Sequence, residues 1–462
     1  MPRALFALIT LSALTSSPAR CDEPDAELRA RINQAIERGV ANLRDRRQTL
    51  GGIGGSEASY PYGIECLTHY TLRVCGVSGD DPFVGYLEAK ARTAVQEAPH
   101  TYTVSLALLG LLLSDREKNK SRIVEAIARL EAGQLKQEHA GAWGYLLPLG
   151  RTTPGGRPPR AAHWEAPPNW WDNSNTQYGV LALRSAVDFG FAVEPQVFVR
   201  AAELMVSVQQ SDGGFAYDSA GHRPRSYVAM TAGIGGTLVM CQDLLGEGSD
   251  ARRLRKRIAG SLKRGRQWLG KRLVFPSTDS PWPYYAAYAV ERYGHYAHVE
   301  TFGKTDWALE SARWLVDDQA PDGSWSTARL MSGRKGRNPN RTGFVASPSV
   351  SDTCFALLVL RRSSSVHTRV SDEVLVLLRG IDSQARPVDL AHIKGRILDA
   401  GPRALPQLVK GLFLKAEPAR LLAAECLREM SGEDFGFSSA STETEQRRAR
   451  EAWVRWLLVR TD

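Results

Sequence analysis

The loop signature that decides the fold is Gln319–Trp325, which reads QAPDGSW. A related loop, QQSDGGF, occupies Gln209–Phe215, and a shorter form, GAWGY, occupies Gly141–Tyr145. Each loop follows an amphipathic stretch, and in the two longer copies Asp-Gly supplies a turn that ends a helix. The aromatic residue after the turn can fold back onto the helix that has just ended. The signature therefore predicts a structural repeat, and a repeat governs the whole fold assignment.

Two kinds of helical stretch alternate along the chain. Six are apolar on almost every side and are therefore predicted to be buried: 63–74, 102–113, 176–187, 227–238, 283–293 and 351–360. Six others are polar on one face: 26–44, 82–95, 121–135, 195–209, 251–269 and 306–317. No convincing run of period-two strands appears. Inner and outer helices that alternate and close on themselves predict an all-α fold, an α6/α6 toroid with a cavity at one end of the inner ring.

The last part of the chain, residues 371–462, has a different character. Short helices joined by tight turns are expected over 389–398 and 401–409, and Pro418 suits the first turn of a further helix. This tail resembles HEAT-type helical repeats. Two repeats are few for independent stability, so we expect the tail to dock on the toroid and to offer a surface to a protein partner. The predicted domains are the toroid, 26–362, and the tail.

The N-terminus resembles an export signal. Arg3 supplies a positive charge, residues 4–14 form an apolar run, and Ser17–Ala19 offers small residues near a cleavage point. The run is too short to span a bilayer, and Arg20 before Cys21 argues against a lipoprotein signal. An apolar, frayed terminus is the alternative. We expect residues 1–20 to be a signal peptide and the protein to be exported to the periplasm or cell envelope.

The composition and the motifs argue against several classes of protein. The 462 residues are 43% hydrophobic and 24% charged, which is ordinary for a soluble globular protein, and the net charge of +9 does not define a fold. No nucleic-acid-binding motif is present, so no nucleic-acid partner is expected. The six cysteines are scattered without a Cys-x-x-Cys pair, which argues against a zinc ribbon or a dense disulfide framework. One bridge, between Cys66 and Cys75, stays open as an alternative.

Residues 26–362 resemble the prenyltransferase and squalene-oxidase repeat group, which includes squalene–hopene cyclases and protein prenyltransferase β subunits. The likeness is carried by the three loops and by three further segments: Asp172–Tyr178 (DNSNTQY), Ser226–Gly233 (SYVAMTAG) and Ser351–Leu357 (SDTCFAL). The chain looks most like bacterial cyclase-like proteins that are often exported. The resemblance implies a terpenoid cyclase-like α/α toroid, but one fold hosts many functions.

The segment in the place of the squalene–hopene cyclase motif lacks the acid of that motif. Those cyclases protonate an alkene with a strong acid in the sequence Asp-x-Asp-Asp-Thr-Ala, at the head of an inner helix. The nearest match is Asp172–Gln177, in which only Asp172 and Thr176 fit. Ser174 replaces the central acid and Asn175 the next one. A serine hydroxyl does not protonate an alkene at useful rates, which argues against squalene-type cyclisation.

The metal-dependent chemistries of related enzymes also find no complete motif. Cyclases that ionise a diphosphate hold magnesium with Asp-Asp-x-x-Asp, but Asp80–Asp81 and Asp317–Asp318 lack a third acid. Prenyltransferase β subunits bind zinc with Asp-x-Cys and a later His. Asp352–Cys354 supplies the pair, but no His follows at a suitable distance, and zinc needs at least three protein ligands. We therefore expect no metal and no cofactor, with Asp352 capping a helix and Cys354 packed as a small apolar side chain.

The candidate site consists of aromatic and polar residues at the loop end of the ring. Aromatic faces stabilise cations and also bind apolar surfaces. The candidate ligand-binding residues are Trp143, Tyr145, Trp171, Asn175, Tyr227, Tyr285, Glu291, Asp306 and Trp307, and the candidate catalytic acids are Asp172 and Asp352. Glu291, Arg292 and Asp306 are expected to form a buried ion network or to contact a polar ligand.

Two functions stay open. One is an enzyme or binding protein for an apolar, terpenoid- or lipid-like molecule. The other is a non-catalytic interaction scaffold of the cell envelope. A large cavity open to solvent favours the first, and a ring centre filled by side chains favours the second.

We predict that the purified protein does not cyclise squalene, because Ser174 stands where the protonating acid is required. Incubation with squalene followed by gas chromatography and mass spectrometry should show only starting material. A squalene–hopene cyclase assayed in parallel supplies the positive control. A cyclised triterpene made by this protein would contradict the prediction.

Overall fold

The computed structural model describes residues 26–45, 61–148, 170–218, 225–246, 248–332, 350–363, 374–375, 377–381, 386–399, 404–414 and 416–460. The expected signal peptide, residues 1–20, lies outside this part of the chain. Among the described helices, none combines the length and the apolar character that a membrane crossing requires.

The first part of the described chain is built from helices. They are α1 (Ala26–Asp45), α2 (Gly63–Val74), α3 (Pro82–Glu97), α4 (Thr101–Leu112), α5 (Arg116–Gly133), α6 (Asn173–Asp188), α7 (Gln196–Ser207), α8 (Val228–Asp243), α9 (Ser249–Gly270), α10 (Pro283–Ala297), α11 (Trp307–Asp318), α12 (Thr327–Ser332) and α13 (Val350–Ser363). All twelve predicted helices are present with small shifts at their ends. The short helix α12 and a small hairpin, β1 (Thr301–Phe302) with β2 (Thr305–Asp306), were not predicted, because each is too short to show a period.

The helices form a closed ring. The inner helices α2, α4, α6, α8, α10 and α13 each contact the next, and α13 contacts α2. The outer helices α1, α3, α5, α7, α9 and α11 each pack against one or two inner helices. One cluster of buried apolar side chains extends from Leu28 to Leu360. The α6/α6 toroid predicted from the alternating helices is therefore confirmed.

Small residues set the spacing of the inner ring. A Cβ atom on Gly235 of α8 would lie 2.4 Å from the ring of Tyr293 on α10. A Cβ atom on Gly233 would lie 2.1 Å from the side-chain oxygen of Gln177 on α6. Any larger residue at these positions would force α8 away from its neighbours, which explains the small-residue composition of this helix.

A glutamine at the end of an outer helix joins that helix to the next outer helix. Gln319 Nε2 donates to the carbonyl of Gly323 in its own loop (3.0 Å) and to the carbonyl of Ala35 in α1 (2.8 Å). The same double contact occurs at the other two loops. Gln209 Nε2 donates to the carbonyl of Gly213 (2.8 Å) and to the carbonyl of Ser261 in α9 (3.0 Å). Gln134 Nε2 donates to the carbonyl of Gly141 (3.2 Å) and to the carbonyl of Val197 in α7 (2.9 Å). We call these three contacts the glutamine clamps. The clamp at Gln319 connects α11 to α1 and so closes the outer ring.

Each clamp depends on a glycine that follows it. Gly141, Gly213 and Gly323 have φ values of 101°, 89° and 82°, a region that residues with a side chain rarely adopt. A Cβ atom on Gly323 would also lie 2.4 Å from the carbonyl oxygen of Arg38 in α1. Glycine therefore permits both the turn and the close approach of the next outer helix.

The aromatic residue of each loop fixes an inner helix. The backbone N–H donates to a threonine hydroxyl in the first two turns of that helix, in the pairs Trp143–Thr176, Phe215–Thr231 and Trp325–Thr353, at 3.0–3.2 Å. The indole N–H groups of Trp143 and Trp325 donate to Leu130 O and Leu315 O, in the helices that have just ended. This confirms that the aromatic residue folds back and that the signature is structural.

The tail has a buried cluster of its own. Its helices are α14 (Pro387–Asp399), α15 (Leu405–Gly411), α16 (Glu417–Ser431) and α17 (Glu443–Arg460). Leu378, Leu408, Leu427 and Trp453 belong to this second cluster, which is separate from the core of the toroid. One contact between tail and ring joins Arg379 Nη1 to His298 Nε2, 3.4 Å apart. The resemblance to HEAT repeats and the domain boundaries stay predictions.

We predict that Gln319→Leu lowers the free energy of unfolding by about 1–3 kcal/mol, because two carbonyl groups lose a partly buried donor. Urea denaturation followed by circular dichroism measures the change. Gln196→Leu, at an exposed position on α7, is the matched control and should have little effect. Equal stability of the two variants would contradict a structural role for the clamp.

Candidate functional site

The head of α6 carries the segment that replaces the cyclase motif. Asp172 is the N-cap of this helix and is fully buried. Its carboxylate accepts two hydrogen bonds from Asn175, one from the backbone N–H (2.7 Å) and one from Nδ2 (2.7 Å). The two residues therefore hold one another in a fixed geometry at the start of the helix.

Burial raises the pKa of Asp172 from 3.8 to about 6, although hydrogen bonds from Asn175 and Tyr217 oppose the shift. The hydroxyl of Tyr217 in turn shares a short hydrogen bond with the hydroxyl of Tyr145. A hydrogen-bonded chain thus joins Asp172, Tyr217 and Tyr145 at the ring head, which is the end of the ring where α6 begins. Its carboxyl group can gain or lose a proton close to neutral pH.

Six aromatic rings lie in contact beside this chain. Successive ring centroids are 5.9 Å apart for Tyr145 and Tyr102, 5.2 Å for Tyr102 and Tyr178, 6.4 Å for Tyr178 and Tyr285, 5.5 Å for Tyr285 and Phe355, and 5.5 Å for Phe355 and Tyr288. We call these six residues the aromatic band. The band is supplied by α4, α6, α10, α13 and the loop after α5, and Ser174 Oγ lies 3.5 Å from the hydroxyl of Tyr285.

A buried guanidinium group lies against the band. Arg292 of α10 is 2% exposed, and its Nη2 donates to Gln177 Oε1 at 3.1 Å. The centre of the guanidinium lies 4.4 Å from the ring centroid of Tyr288 and 5.7 Å from that of Tyr178. The site therefore contains its own cation on the faces of two aromatic rings.

Several predicted site residues belong elsewhere. Trp143 is buried at a structural loop contact, as described above. Trp171 packs with Ala142 and Leu204 in a separate small cluster. The indole N–H of Trp307 donates to Val299 O, and Trp307 starts the outer helix α11. None of these three tryptophans belongs to the aromatic band, because each packs against or bonds to other parts of the described chain.

One residue of the predicted ion network, Asp306, lies at the start of an outer helix. Asp306 caps α11, where it accepts the backbone N–H of Leu309 (2.9 Å), while Arg292 reaches Gln177. Glu291 is buried on α10 beside Arg292 in the sequence, and Tyr227 is the buried N-cap residue of α8. The structure therefore assigns Asp306 to an outer helix terminus.

Of the predicted residues, Tyr145, Asn175, Tyr285 and Asp172 are brought together. Sequence reasoning missed the parts played by Tyr102, Tyr178, Tyr217 and Phe355. The spacing of four between Ser174 and Tyr178 could have revealed one of them, since such residues share a helix face. Tyr217 lies in a loop, and no periodic pattern indicates its position.

A second buried carboxyl group lies on α13. Asp352 is 5% exposed and accepts the backbone N–H of Thr327 at 2.7 Å, so it holds the start of α12 rather than only capping its own helix. Burial, with the nearby charge of Asp318, raises the pKa of Asp352 to about 6. The hydroxyl of Tyr284 donates to Asp318. Asp352 is therefore placed in a hydrogen-bonded structural contact.

The five cysteines in the described part of the chain are free thiols, four of them buried and Cys75 partly buried. Cys354 Sγ lies 3.9 Å from Thr68 Oγ1, and burial raises the pKa of this thiol to about 12. A neutral thiol is a poor metal ligand. Within the described ranges, no group of three or more His, Cys, Asp or Glu side chains is arranged to hold a metal ion. Cys66 and Cys75 are not bonded to each other, so the alternative of a bridge between them is wrong.

The ring centre contrasts with a cavity on the outer wall. A cavity of about 310 Å³ lies between α3 and α5, lined by Gly85, Glu88, Ala89, Arg92, Thr93, Gln96, Lys118 and Arg122. At the helix heads, by contrast, the rings of Tyr178, Tyr285 and Tyr288 are at most 8% exposed. These three rings are therefore buried between the inner helices.

Comparisons with known proteins add a weak likeness of fold. No protein-family model matches this chain, and no curated protein matches it. Among solved structures, it is similar to the type II terpene cyclase MstE from Scytonema in its apo form (13% identity, 73% of this chain and 99% of that chain, TM-score 0.44). The same values hold for an MstE variant in complex with geranylgeranyl dihydroxybenzoate. Candida albicans protein geranylgeranyltransferase-I complexed with GGPP is also similar (12% identity, 78% and 98%, TM-score 0.42). The toroid assignment does not depend on these similarities, because the closed ring of helix contacts defines it.

We predict a pH-dependent difference in stability between the wild-type protein and Asp172→Asn. The folded carboxyl holds its proton more tightly than the unfolded one, so its contribution is complete below about pH 4 and is lost as the pH rises through about 6. The free energy of unfolding of the wild type, relative to the variant, should fall by up to about 3 kcal/mol over this range.

Urea denaturation at a series of pH values measures this difference. Asp115→Asn is the matched control, since Asp115 also caps a helix but lies at an exposed position. A difference between the wild type and Asp172→Asn that stays constant with pH would contradict the prediction.

Proposed function

We propose that this chain is a non-cyclising binding protein, which holds an apolar terpenoid- or lipid-like molecule against the aromatic band. The observation that carries this proposal is the band itself. Rings from four inner helices and one loop meet at the polar helix heads, beside Asp172. Apolar surface with a few convergent polar groups is the composition of a small-molecule site.

Two features support binding without cyclisation. The pKa of about 6 makes Asp172 a weak acid, far from the acidity that alkene protonation requires. The guanidinium of Arg292 already occupies the faces of Tyr288 and Tyr178, so these rings are less able to stabilise a carbocation. Both features disfavour the formation of a carbocation, but neither prevents the binding of an apolar ligand.

The contacts within the band define how a ligand would bind. Because neighbouring rings touch, the ligand enters by moving them apart, as in pockets that belong to a minor conformation. The hydrogen-bonded chain of Asp172, Tyr217 and Tyr145 then forms one polar wall of the opened site.

A second candidate is a non-catalytic scaffold, and the burial of Tyr178, Tyr285 and Tyr288 between the inner helices favours it. In this proposal the tail offers the partner surface, where Val388 and Phe413 expose 66% and 57% of their area. Export to the periplasm or cell envelope belongs to both proposals.

Native mass spectrometry of protein purified without detergent tests the first proposal. The wild type should carry a small-molecule adduct that organic solvent extracts. Tyr178→Ser, which interrupts the band, should weaken binding about tenfold or more, because a buried aromatic contact is lost. Tyr86→Ser, at an exposed tyrosine on α3, is the matched control and should retain the adduct.

Two results together would contradict the binding proposal. The wild type would carry no extractable organic molecule, and no prenyl alcohol or fatty acid in a panel would raise its melting temperature. That result would overturn the binding proposal and favour the scaffold.

A further inference from the structure

Two buried amide oxygens at the head of α6 lack a hydrogen-bond partner. Asn173 is 2% exposed and Asn175 is fully buried. Asn173 Nδ2 donates to Ala216 O at 2.9 Å, and Asn175 Nδ2 donates to Asp172 Oδ2 at 2.7 Å. Neither Oδ1 atom has a partner. Exchanging the N and O atoms of Asn173 would set its oxygen against a carbonyl oxygen, and the same exchange in Asn175 would set its oxygen against the ionised carboxylate of Asp172. The unpaired atoms are therefore the acceptors when Asp172 is ionised.

An unpaired buried acceptor is costly. Removing such an atom from water costs about 1–3 kcal/mol of free energy when no hydrogen bond compensates for the lost hydration, so native proteins contain few of them. Such an atom alone does not define a site, since Asn42 Oδ1 is also unpaired where α1 meets the Gln319 loop. The α6 head differs because the two atoms belong to the residues on either side of Ser174, whose Oγ lies 3.5 Å from the hydroxyl of Tyr285 in the aromatic band.

The polar surface there is rich in acceptors. Asn173 and Asn175 present oxygen atoms, and Asp172 presents a carboxyl group. The complementary group on a ligand is therefore a hydrogen-bond donor. An ammonium donor is disfavoured, because Arg292 already places a buried positive charge beside Tyr285 and Tyr178 in the same ring centre. A neutral hydroxyl group satisfies both conditions.

We infer that the ligand of this site is an alcohol, an apolar molecule that carries at least one hydroxyl group, and that Asn173 and Asn175 accept its hydrogen bond. This inference rests on the proposed binding function and specifies the chemical class of the ligand. A water molecule could satisfy the same acceptors, and the experiment below separates the two cases.

Matched ligands provide the test. Farnesol, farnesyl methyl ether and farnesene share an isoprenoid body but differ in the donor group. Isothermal titration calorimetry with the full chain should give farnesol a dissociation constant at least about tenfold lower than that of the ether. A site with unpaired acceptors rejects an analogue that cannot donate to them.

Variants of Asn173 and Asn175 test whether these residues cause the preference for farnesol over the ether. Asn173→Leu and Asn175→Leu should each reduce the preference for farnesol over the ether, while Asn42→Leu should leave it unchanged. Circular dichroism checks that each variant folds. If Asn175→Leu fails to fold because Asp172 loses its partner, Asn173→Leu and the wild-type ratio still decide the question.

Three results would overturn the inference. Equal affinity for farnesol and its ether would mean that water fills the acceptor positions, although the binding function would stand. A preference that survives in both Asn173→Leu and Asn175→Leu would exclude these residues as the acceptors. Binding of none of the three compounds would overturn the inference, and the proposed function would fall with it only if the purified protein also carried no extractable organic molecule.

Discussion

The glutamine clamp is the contact on which the ring depends. A single amide group at the end of an outer helix donates to its own loop and to the next outer helix, and the clamp at Gln319 joins α11 to α1. The following glycine permits the close approach, and the aromatic residue fastens an inner helix through a threonine hydroxyl. One loop therefore connects three helices, and three copies of it hold the described helices of the ring together.

Closure of the ring places the heads of α4, α6, α10 and α13 close together, which sets the chemistry of its centre. Polar residues at these heads are removed from water, and so the pKa of Asp172 rises to about 6. The aromatic band lies beside this carboxyl group, and Arg292 lies on two of its rings. The centre combines a weak acid, an internal cation and tyrosine rings, which suits recognition of a neutral molecule better than generation of a carbocation.

Much of the fold could be predicted from the sequence because its signals are local. The Gln-to-aromatic loops mark helix ends, and the apolar or one-sided periodicity separates inner from outer helices. The absence of the central acid at Ser174 is likewise visible without a structure. Two tryptophans misled the site prediction, because Trp143 of the first loop and Trp307 at the start of α11 were assigned to the cavity by residue type but donate to backbone carbonyls in the structure.

The sequence by itself therefore determined the helical repeat and led to the prediction that squalene is not cyclised, since both depend on residue identity and spacing along the chain. Only the tertiary structure decided which side chains meet. Tyr102, Tyr217 and Phe355 lie far from Asp172 in sequence and reach the ring head only when the ring closes. The unpaired oxygens of Asn173 and Asn175 could be recognised only there, because burial and hydrogen bonding are properties of the packed ring.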